Sequence, residues 1–131
     1  MKAQVAIEYL IVASVVIGTA VTFFYYAATR SSESIVVSQA KESVEILSKT
    51  IRYIYASGPG AQTTVIIEIP TSIVDSYVRN NEIGFKIGVG GRVMDVYEIT
   101  KVNVVGSLPT SPGRHVILVN YTATGVFVGR P

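Results

Sequence analysis

Residues 4–28 read QVAIEYLIVASVVIGTAVTFFYYAA, and this segment decides how the rest of the chain is interpreted. Glu8 is its only charged side chain. About 20 consecutive apolar residues are enough to cross the hydrocarbon core of a bilayer, roughly 30 Å, as an α-helix. The segment therefore predicts a membrane-spanning helix that begins almost at the start of the chain.

The residues in front of this segment, Met1-Lys2-Ala3, are too few for a secretory signal peptide. Such a peptide has a charged region, then an apolar region, and only then a cleavage site of small residues. In this chain the small residue Ala3 comes before the apolar segment. A cut there would leave the hydrophobic helix on the mature protein, with a new amino terminus at Gln4.

This order of parts resembles the class III signal peptide of archaeal type IV pilins, which include the major pilins of adhesion pili. The resemblance rests on Lys2-Ala3 followed by Gln4-Val5-Ala6-Ile7-Glu8-Tyr9-Leu10. It implies that a prepilin peptidase cuts between Ala3 and Gln4, and that Glu8 and Tyr9 are the Glu and Tyr of the family's motif. The family often has Ser where Ala6 stands. Archaellins share the machinery but usually carry a Thr-Gly-Ile-Gly type of sequence after the cut, which is absent here.

The carboxylate of Glu8 needs compensation inside an apolar helix. A charged side chain costs about 2.5–3.5 kcal/mol at the centre of a membrane helix on insertion scales, and less near its edge. The resemblance implies that the partner is the amine of Gln4 in a neighbouring subunit. The alternative is that Glu8 extends to the headgroup layer as an edge charge.

Small residues recur along the predicted span. Ala6, Ala13, Ala20 and Ala27 are seven residues apart, and Ser14 with Gly18 forms a small-xxx-small pair. Small side chains let membrane helices approach closely, and this pattern predicts helix packing. The ordinary composition of membrane helices explains it equally well. Near the end of the span, Tyr25, Tyr26 and Arg30 are typical of an interfacial aromatic belt.

Helical periodicity continues beyond the span to Ser57. Apolar residues at spacings of three and four predict an amphipathic helix whose buried stripe is Val37, Ala40, Val44, Leu47, Ile51 and Ile54. Gly58-Pro59-Gly60 predicts its end, because Gly supplies the terminal turn and Pro blocks continuation.

From residue 61 onward the apolar period changes to two, which predicts β-strands. Ile83, Phe85 and Ile87 alternate with Gly84 and Lys86, for example. Short strands separated by turns indicate an antiparallel sandwich or a small barrel, and the resemblance favours an immunoglobulin-like β domain. The predicted fold class is α+β: a leader at 1–3, a helix at 4–57 with its hydrophobic segment at 4–28, and a β domain at 61–131. The predicted strands are 63–69, 73–78, 82–89, 92–99, 102–105, 114–121 and 125–128.

Several predicted strands are apolar on both faces, as in Val93, Met94, Val96, Tyr97 and Ile99. A domain of about 70 residues without disulfides or metal is marginal by itself. Exposed apolar surfaces usually mark association sites. We therefore expect the helix to cover one face of the domain and neighbouring subunits to cover another.

Composition and motifs argue against other classes of function. The chain has 15% charged residues, a net charge of +2 and no cysteine, which excludes thiolate metal sites and argues against an electrostatic nucleic-acid binder. The only histidine, His115, alternates with Ile117 and Val119 and is interpreted as a partly buried strand residue. Gly88-Val89-Gly90-Gly91 indicates a hairpin turn, since no helix follows. No enzyme activity, metal or cofactor is predicted.

Asn120-Tyr121-Thr122 matches an N-glycosylation sequon. Export would make Asn120 available as an acceptor. The alternative is that its side chain packs within the strand.

The resulting hypothesis is a structural subunit. The resemblance implies a precursor in the cytoplasmic membrane, processing by prepilin peptidase, and extraction by an assembly ATPase and a membrane platform protein. The product would be a helical homopolymer on the cell surface, with helices in its core, β domains outside and surface adhesion as its role. Twitching, DNA uptake and virus reception leave the same sequence pattern. Two alternatives are a minor pilin or pseudopilin of a secretion or DNA-uptake machine and a membrane-tethered monomeric binding domain.

Overall fold

The computed structural model describes residues 2–131, and Met1, the first residue of the predicted leader, lies outside the described residues. The described residues form one long helix followed by seven strands, an α+β arrangement. It divides between Ser34 and Ile35 into two compact units. The elements are α1 (Lys2–Ser57), β1 (Gln62–Ile69), β2 (Ile73–Arg79), β3 (Glu82–Val89), β4 (Arg92–Ile99), β5 (Val104–Gly106), β6 (Gly113–Thr122) and β7 (Gly125–Gly129).

Helix α1 ends where the sequence predicts. Gly58 and Gly60 both take positive φ, at 97° and 87°, a conformation that glycine adopts without steric cost. The amide of Gly58 donates to the carbonyl oxygen of Tyr55 at 3.3 Å and closes the last turn. Pro59 has no amide hydrogen and cannot continue the helix.

The seven strands form two sheets. Sheet A has the order β1-β6-β7-β5, and sheet B has the order β2-β3-β4. Sheet B is a meander whose strands are joined by two-residue turns at Asn80-Asn81 and at Gly90-Gly91, the second of which the sequence predicts. Inward side chains of both sheets belong to one buried cluster, so the sheets face each other across a common core.

The expectation of purely antiparallel pairing is wrong for one strand pair, because β5 pairs in parallel with β7. Lys101 takes a positive φ of 58° and delays β5, which begins at Val104 instead of the predicted residue 102. Asn103 then fixes the strand beside β7. Its side-chain amide donates to the carbonyl oxygen of Thr124 at 2.8 Å, and its carbonyl oxygen accepts from the amide of Val126 at 2.9 Å.

The predicted core stripe of α1 is confirmed in the part of the helix that belongs to the β domain. Leu47 and Ile51 are fully buried, and they join the buried cluster formed by both sheets. Two hydroxyl residues, Ser43 and Ser48, are also buried on this side of the helix. The buried hydrophobic residues of the domain are Ala40, Val44, Leu47, Ile51, Ile54, Ile67, Ile69, Ile83, Phe85, Ile87, Val104, Leu108, Ile117, Val119, Val126 and Val128.

This part of the helix covers the free edges of two strands. The hydroxyl of Ser43 donates to the carbonyl oxygen of Glu68 on β1 at 2.6 Å. On its other side, Val37 and Val44 lie beside Val96 of β4. Uncovered edges of sheets invite pairing with other chains, and these contacts of the helix shield part of the edges of β1 and β4.

Gly84 of β3 marks a close approach on the outer face of sheet B. A Cβ atom at this position would lie 2.7 Å from the hydroxyl oxygen of Tyr77 and 2.9 Å from the Cβ of Tyr97. The two tyrosines lie directly opposite Gly84 on β2 and β4. Aromatic side chains therefore cover the glycine and take the place of its missing side chain.

Gly84→Ala is expected to lower the free energy of unfolding by about 1–3 kcal/mol, because the added methyl group overpacks this site. Gly88→Ala on the same strand and the same face is the matched control. Its Cβ would meet nothing closer than the carbonyl oxygen of Ser72 at 3.6 Å. Urea unfolding of the full chain in detergent measures both variants, and equal stabilities would contradict the packing described for Gly84.

Candidate functional site

The first unit of the chain is an exposed apolar helix. Every side chain from Lys2 to Ser32 is exposed. The most apolar part of the helix has no buried residue, and the helix has the length and composition to cross a membrane. A helix that is hydrophobic all round is stable only when lipid or protein covers it, so this surface is the first candidate for function.

The predicted processing and assembly residues occupy the first two turns of α1. Lys2, Ala3 and Gln4 open the helix, and Glu8 follows Gln4 by four residues. At 3.6 residues per turn, Gln4 and Glu8 lie on the same side, and Tyr9 lies about 100° further round. Within residues 2–131 the only ion pair is Glu45–Lys49, so Glu8 has no cationic partner there.

The small residues of the helix fall on two different sides. The predicted alanine series, Ala6, Ala13, Ala20 and Ala27, stays on one side because seven residues are nearly two turns. Ser14 and Gly18 lie about a quarter to a third of a turn away from Ala6. Glu8 lies on the side opposite the alanines. The sequence pattern that suggested one packing face therefore corresponds to two.

A shallow groove lies on the Glu8 side of the helix. Its volume is about 440 Å³, and Phe23 and Tyr26 form part of its walls. Gly18, whose added Cβ would meet nothing within 4 Å, leaves the floor open. The lining residues are Gly18, Thr19, Thr22, Phe23 and Tyr26.

Sequence analysis did not single out this groove. The sequence does contain a signal for the groove, because its lining residues are spaced by four. Gly18, Thr22 and Tyr26 form one such row, and Thr19 and Phe23 form another. Residues four apart stack on one side of a helix. A small residue followed at this spacing by large aromatic ones predicts a notch.

Hydroxyl groups of the apolar helix are satisfied within the helix itself. Ser14 donates to the carbonyl oxygen of Leu10 at 2.7 Å, and Thr22 donates to that of Gly18 at 2.9 Å. Such bonds allow Ser and Thr to lie in surroundings without water. These polar residues therefore do not oppose burial of the helix in lipid or protein.

Two of the residues that resemble an interfacial belt, Tyr26 and Arg30, contact each other at the end of the apolar segment. The guanidinium of Arg30 donates to the hydroxyl oxygen of Tyr26 at 2.6 Å and lies 5.1 Å from the centre of the tyrosine ring. An amphipathic aromatic ring tied to a cation suits a boundary between apolar and aqueous surroundings.

No group of three or more His, Cys, Asp or Glu side chains within residues 2–131 could hold a metal ion. His115 is half-buried, and its Nε2 lies 2.8 Å from the carbonyl oxygen of Ser111, as expected for a satisfied strand histidine. Gly90-Gly91 forms the hairpin turn between β3 and β4.

Asn120 lies near the end of β6, half-buried and paired with Gln62 and Phe127 on the neighbouring strands. The hydroxyl of Thr122, the third residue of the sequon, donates to the carbonyl oxygen of Gly125 at 2.8 Å. An acceptor sequon at this place belongs to ordered sheet structure, and its use as a glycosylation site stays a prediction.

Tyr77, which covers Gly84, has a perturbed acidity. Burial, followed by the nearby carboxylate of Glu82, raises the pKa of Tyr77 to about 12, while the guanidinium of Arg79 opposes the shift. That guanidinium lies 4.7 Å from the centre of the ring. The folded domain therefore favours the neutral phenol.

The raised pKa of Tyr77 predicts loss of stability in alkali. Because the folded-state pKa exceeds the ordinary value of 10.0, the contribution is complete below pH 10 and disappears as the pH rises towards about 12. Tyr77→Phe should remove this dependence. The difference in ultraviolet absorbance between the wild type and Tyr77→Phe, titrated from pH 9 to 12.5, isolates one tyrosine of the eight. A difference curve with its midpoint at 10 would contradict the prediction.

Comparison with protein-family models, curated proteins and solved structures finds no match to this chain.

Proposed function

We propose that this chain is a pilin, the structural subunit of an archaeal type IV pilus-like filament on the cell surface. The observation that carries the proposal is an apolar helix, exposed from Lys2 to Ser32, that follows a Lys-Ala-Gln junction and holds one carboxylate, Glu8, without a cationic partner among residues 2–131. Helix and junction resemble the class III signal peptide of archaeal pilins. Cleavage between Ala3 and Gln4 by a prepilin peptidase would create the amine that Glu8 requires in a neighbouring subunit.

The distribution of surfaces on the helix supports open-ended assembly. The alanine side and the groove side of the helix lie roughly opposite each other. When a second helix packs its alanines into the groove of the first, the groove of the second helix and the alanine side of the first helix both stay free for further contacts. Contacts between two different surfaces of the same protein generate rings or open helical polymers, whereas self-complementary patches give closed dimers. The two surfaces of α1 thus favour a polymer over a tethered monomer.

An exchange of surroundings accounts for the change from membrane to filament. In the membrane, lipid covers the apolar helix, and in the filament other helices cover it. The hydrophobic contribution is similar in both, so close packing of small residues and the pairing of Glu8 decide the direction. An assembly ATPase and a membrane platform protein would drive the transfer, and surface adhesion is the proposed role of the product.

The β domain would form the outer layer of such a filament, and we propose an immunoglobulin-like description for it. Seven strands divided four and three between two facing sheets support this description. The strand order differs, since the three-stranded sheet is the consecutive meander β2-β3-β4. The likeness is therefore one of architecture and not of connectivity.

Mass spectrometry of cell-surface material tests the proposal. Filaments sheared from the cells that make this protein should sediment at high speed, and the amino-terminal peptide of the chain should begin at Gln4. Ala3→Trp is expected to block processing and to keep the chain in the membrane fraction. Surface material that lacks the chain, with all of the protein starting at Met1 in the membrane, would contradict the proposal.

A further inference from the structure

Two tyrosine rings join the end of α1 to β6. The ring centres of Tyr55 and Tyr121 are 5.2 Å apart, and the planes of the two rings are inclined at 38° to each other. Among residues 2–131 no other pair of aromatic rings forms such a contact. Tyr121 lies 66 residues after Tyr55, so the contact connects two distant segments of the chain.

Hydrogen bonds fix the backbone on both sides of this contact. The amide of Tyr121 donates to the carbonyl oxygen of Ala61 at 2.9 Å, and its carbonyl oxygen accepts from the amide of Gly60 at 3.1 Å. The carbonyl oxygen of Tyr55 accepts from the amide of Gly58 in the last turn of the helix. The rings are therefore held together before any reaction, which lowers the entropic barrier to a bond between them.

Both rings can be reached from the solvent. Tyr55 is 49% exposed and Tyr121 is half-buried. The chain has no cysteine, so no thiol competes for an oxidant and no disulfide can join these segments. Two accessible phenols in contact offer a different route to a covalent bond, the oxidative coupling of their rings.

We propose that Tyr55 and Tyr121 are an oxidative modification site, at which hydrogen peroxide and a one-electron oxidant of the peroxidase class form an intrachain dityrosine crosslink. Each phenol loses one electron and its hydroxyl proton and becomes a phenoxyl radical. The two radicals form a carbon–carbon bond between their Cε atoms, and the hydrogen on each of these carbons then moves to the phenol oxygen. The two electrons and two protons released reduce one hydrogen peroxide to two water molecules.

The crosslink gives the domain a covalent tie that its sequence otherwise lacks. A small domain without disulfides or metal has little stability to spare. A bond between Tyr55 and Tyr121 closes a long loop, and in the chain-entropy account such a bond restricts the unfolded chain more as the loop grows. The inference goes beyond the proposed function, because both tyrosines belong to the β-domain unit and their coupling does not depend on assembly.

Treatment of the purified full chain in detergent with a peroxidase and hydrogen peroxide tests the site. Dityrosine is followed by its fluorescence, and the joined residues are identified by tandem mass spectrometry of tryptic peptides. Tyr55→Phe and Tyr121→Phe each remove one phenol and keep the ring. Tyr53→Phe is the matched control, because Tyr53 lies in the same turn of the helix and is 69% exposed.

The wild type and Tyr53→Phe should both yield a peptide in which Tyr55 is joined to Tyr121, and dilution of the protein should not change this yield. Tyr55→Phe and Tyr121→Phe should yield at least about ten-fold less intrachain dityrosine, because groups held in contact react far faster than groups that must meet by diffusion. The oxidised wild type should unfold at a higher urea concentration than the untreated chain. The joined peptide should also be present in chains isolated from peroxide-treated cells that make this protein.

Three results would overturn the inference. Wild-type amounts of intrachain dityrosine in Tyr55→Phe would show that the oxidant selects exposed phenols and not this pair. A yield that falls on dilution would assign the coupling to separate chains. Chains from peroxide-treated cells that lack the joined peptide would show that the site is not used. None of these results concerns filament formation, so the proposed function is tested separately.

Discussion

Leu47→Ala is expected to lower the free energy of unfolding of the β domain by about 2–5 kcal/mol. Leu47 is fully buried where α1 meets both sheets, and a truncated core leucine loses its transfer free energy and leaves a cavity. Native domains are stable by only about 5–15 kcal/mol. The variant should therefore lose a large part of the total.

The measurement is guanidinium unfolding of the full chain in detergent, followed by near-ultraviolet circular dichroism. The rings of Tyr55 and Tyr121, 5.2 Å apart, join the end of the helix to β6 and provide a local signal. Lys49→Ala, two residues from Leu47, is the matched control. Its ion pair with Glu45 is exposed to solvent and contributes little to stability. Equal stability of the two variants would show that the helix is not part of the domain core.

Glu8→Gln is expected to abolish filament formation without affecting membrane insertion or processing at Gln4. In the proposed filament the substitution leaves the amine of Gln4 unpaired in a core without water. Removal of one partner from a buried ion pair costs about 3–5 kcal/mol. Since 1.4 kcal/mol is a factor of ten in an equilibrium constant, the loss at each contact corresponds to roughly a hundred-fold or more.

Electron microscopy of sheared material and mass spectrometry of the membrane fraction give the two readouts for this variant. Glu33→Gln is the matched control, because it makes the same chemical change beyond the apolar segment. It should assemble like the wild type. Wild-type levels of filaments from Glu8→Gln would support the alternative in which Glu8 is an edge charge that reaches the headgroup layer.

Periodicity in the sequence was sufficient to predict the elements of this fold. The helical stripe through Leu47 and Ile51, the end of α1 at Ser57 and the alternation of Ile83, Phe85 and Ile87 are all observed. These features depend on local spacing, which a single sequence contains. The pairing of strands within hairpins could be predicted as well, because a two-residue turn makes the two strands that it joins antiparallel neighbours.

Contacts between distant segments could not be predicted in this way. The parallel pairing of β5 with β7 depends on Asn103, whose hydrogen bonds reach residues more than twenty positions later. The alternation of the sequence places Gly84 on the outer face of its strand, but it does not predict that Tyr77 and Tyr97 cover this glycine. Closure of the β1 and β4 edges by α1 likewise depends on tertiary packing.

The candidate site was predicted in part. Spacing alone places Gln4 and Glu8 on one side of α1 and the alanine series on another. The groove at Gly18 became evident only from the positions of the surrounding side chains, because its walls come from two interleaved rows of residues.

Cryo-electron microscopy of filaments sheared from the cells that make this protein tests the central claim most directly. The account predicts a helical reconstruction with residues 4–28 bundled at the centre, β domains outside and density that begins at Gln4 beside Glu8 of a neighbouring subunit. Intact chains that start at Met1 and remain monomeric in the membrane fraction, with no filament that contains them, would contradict it.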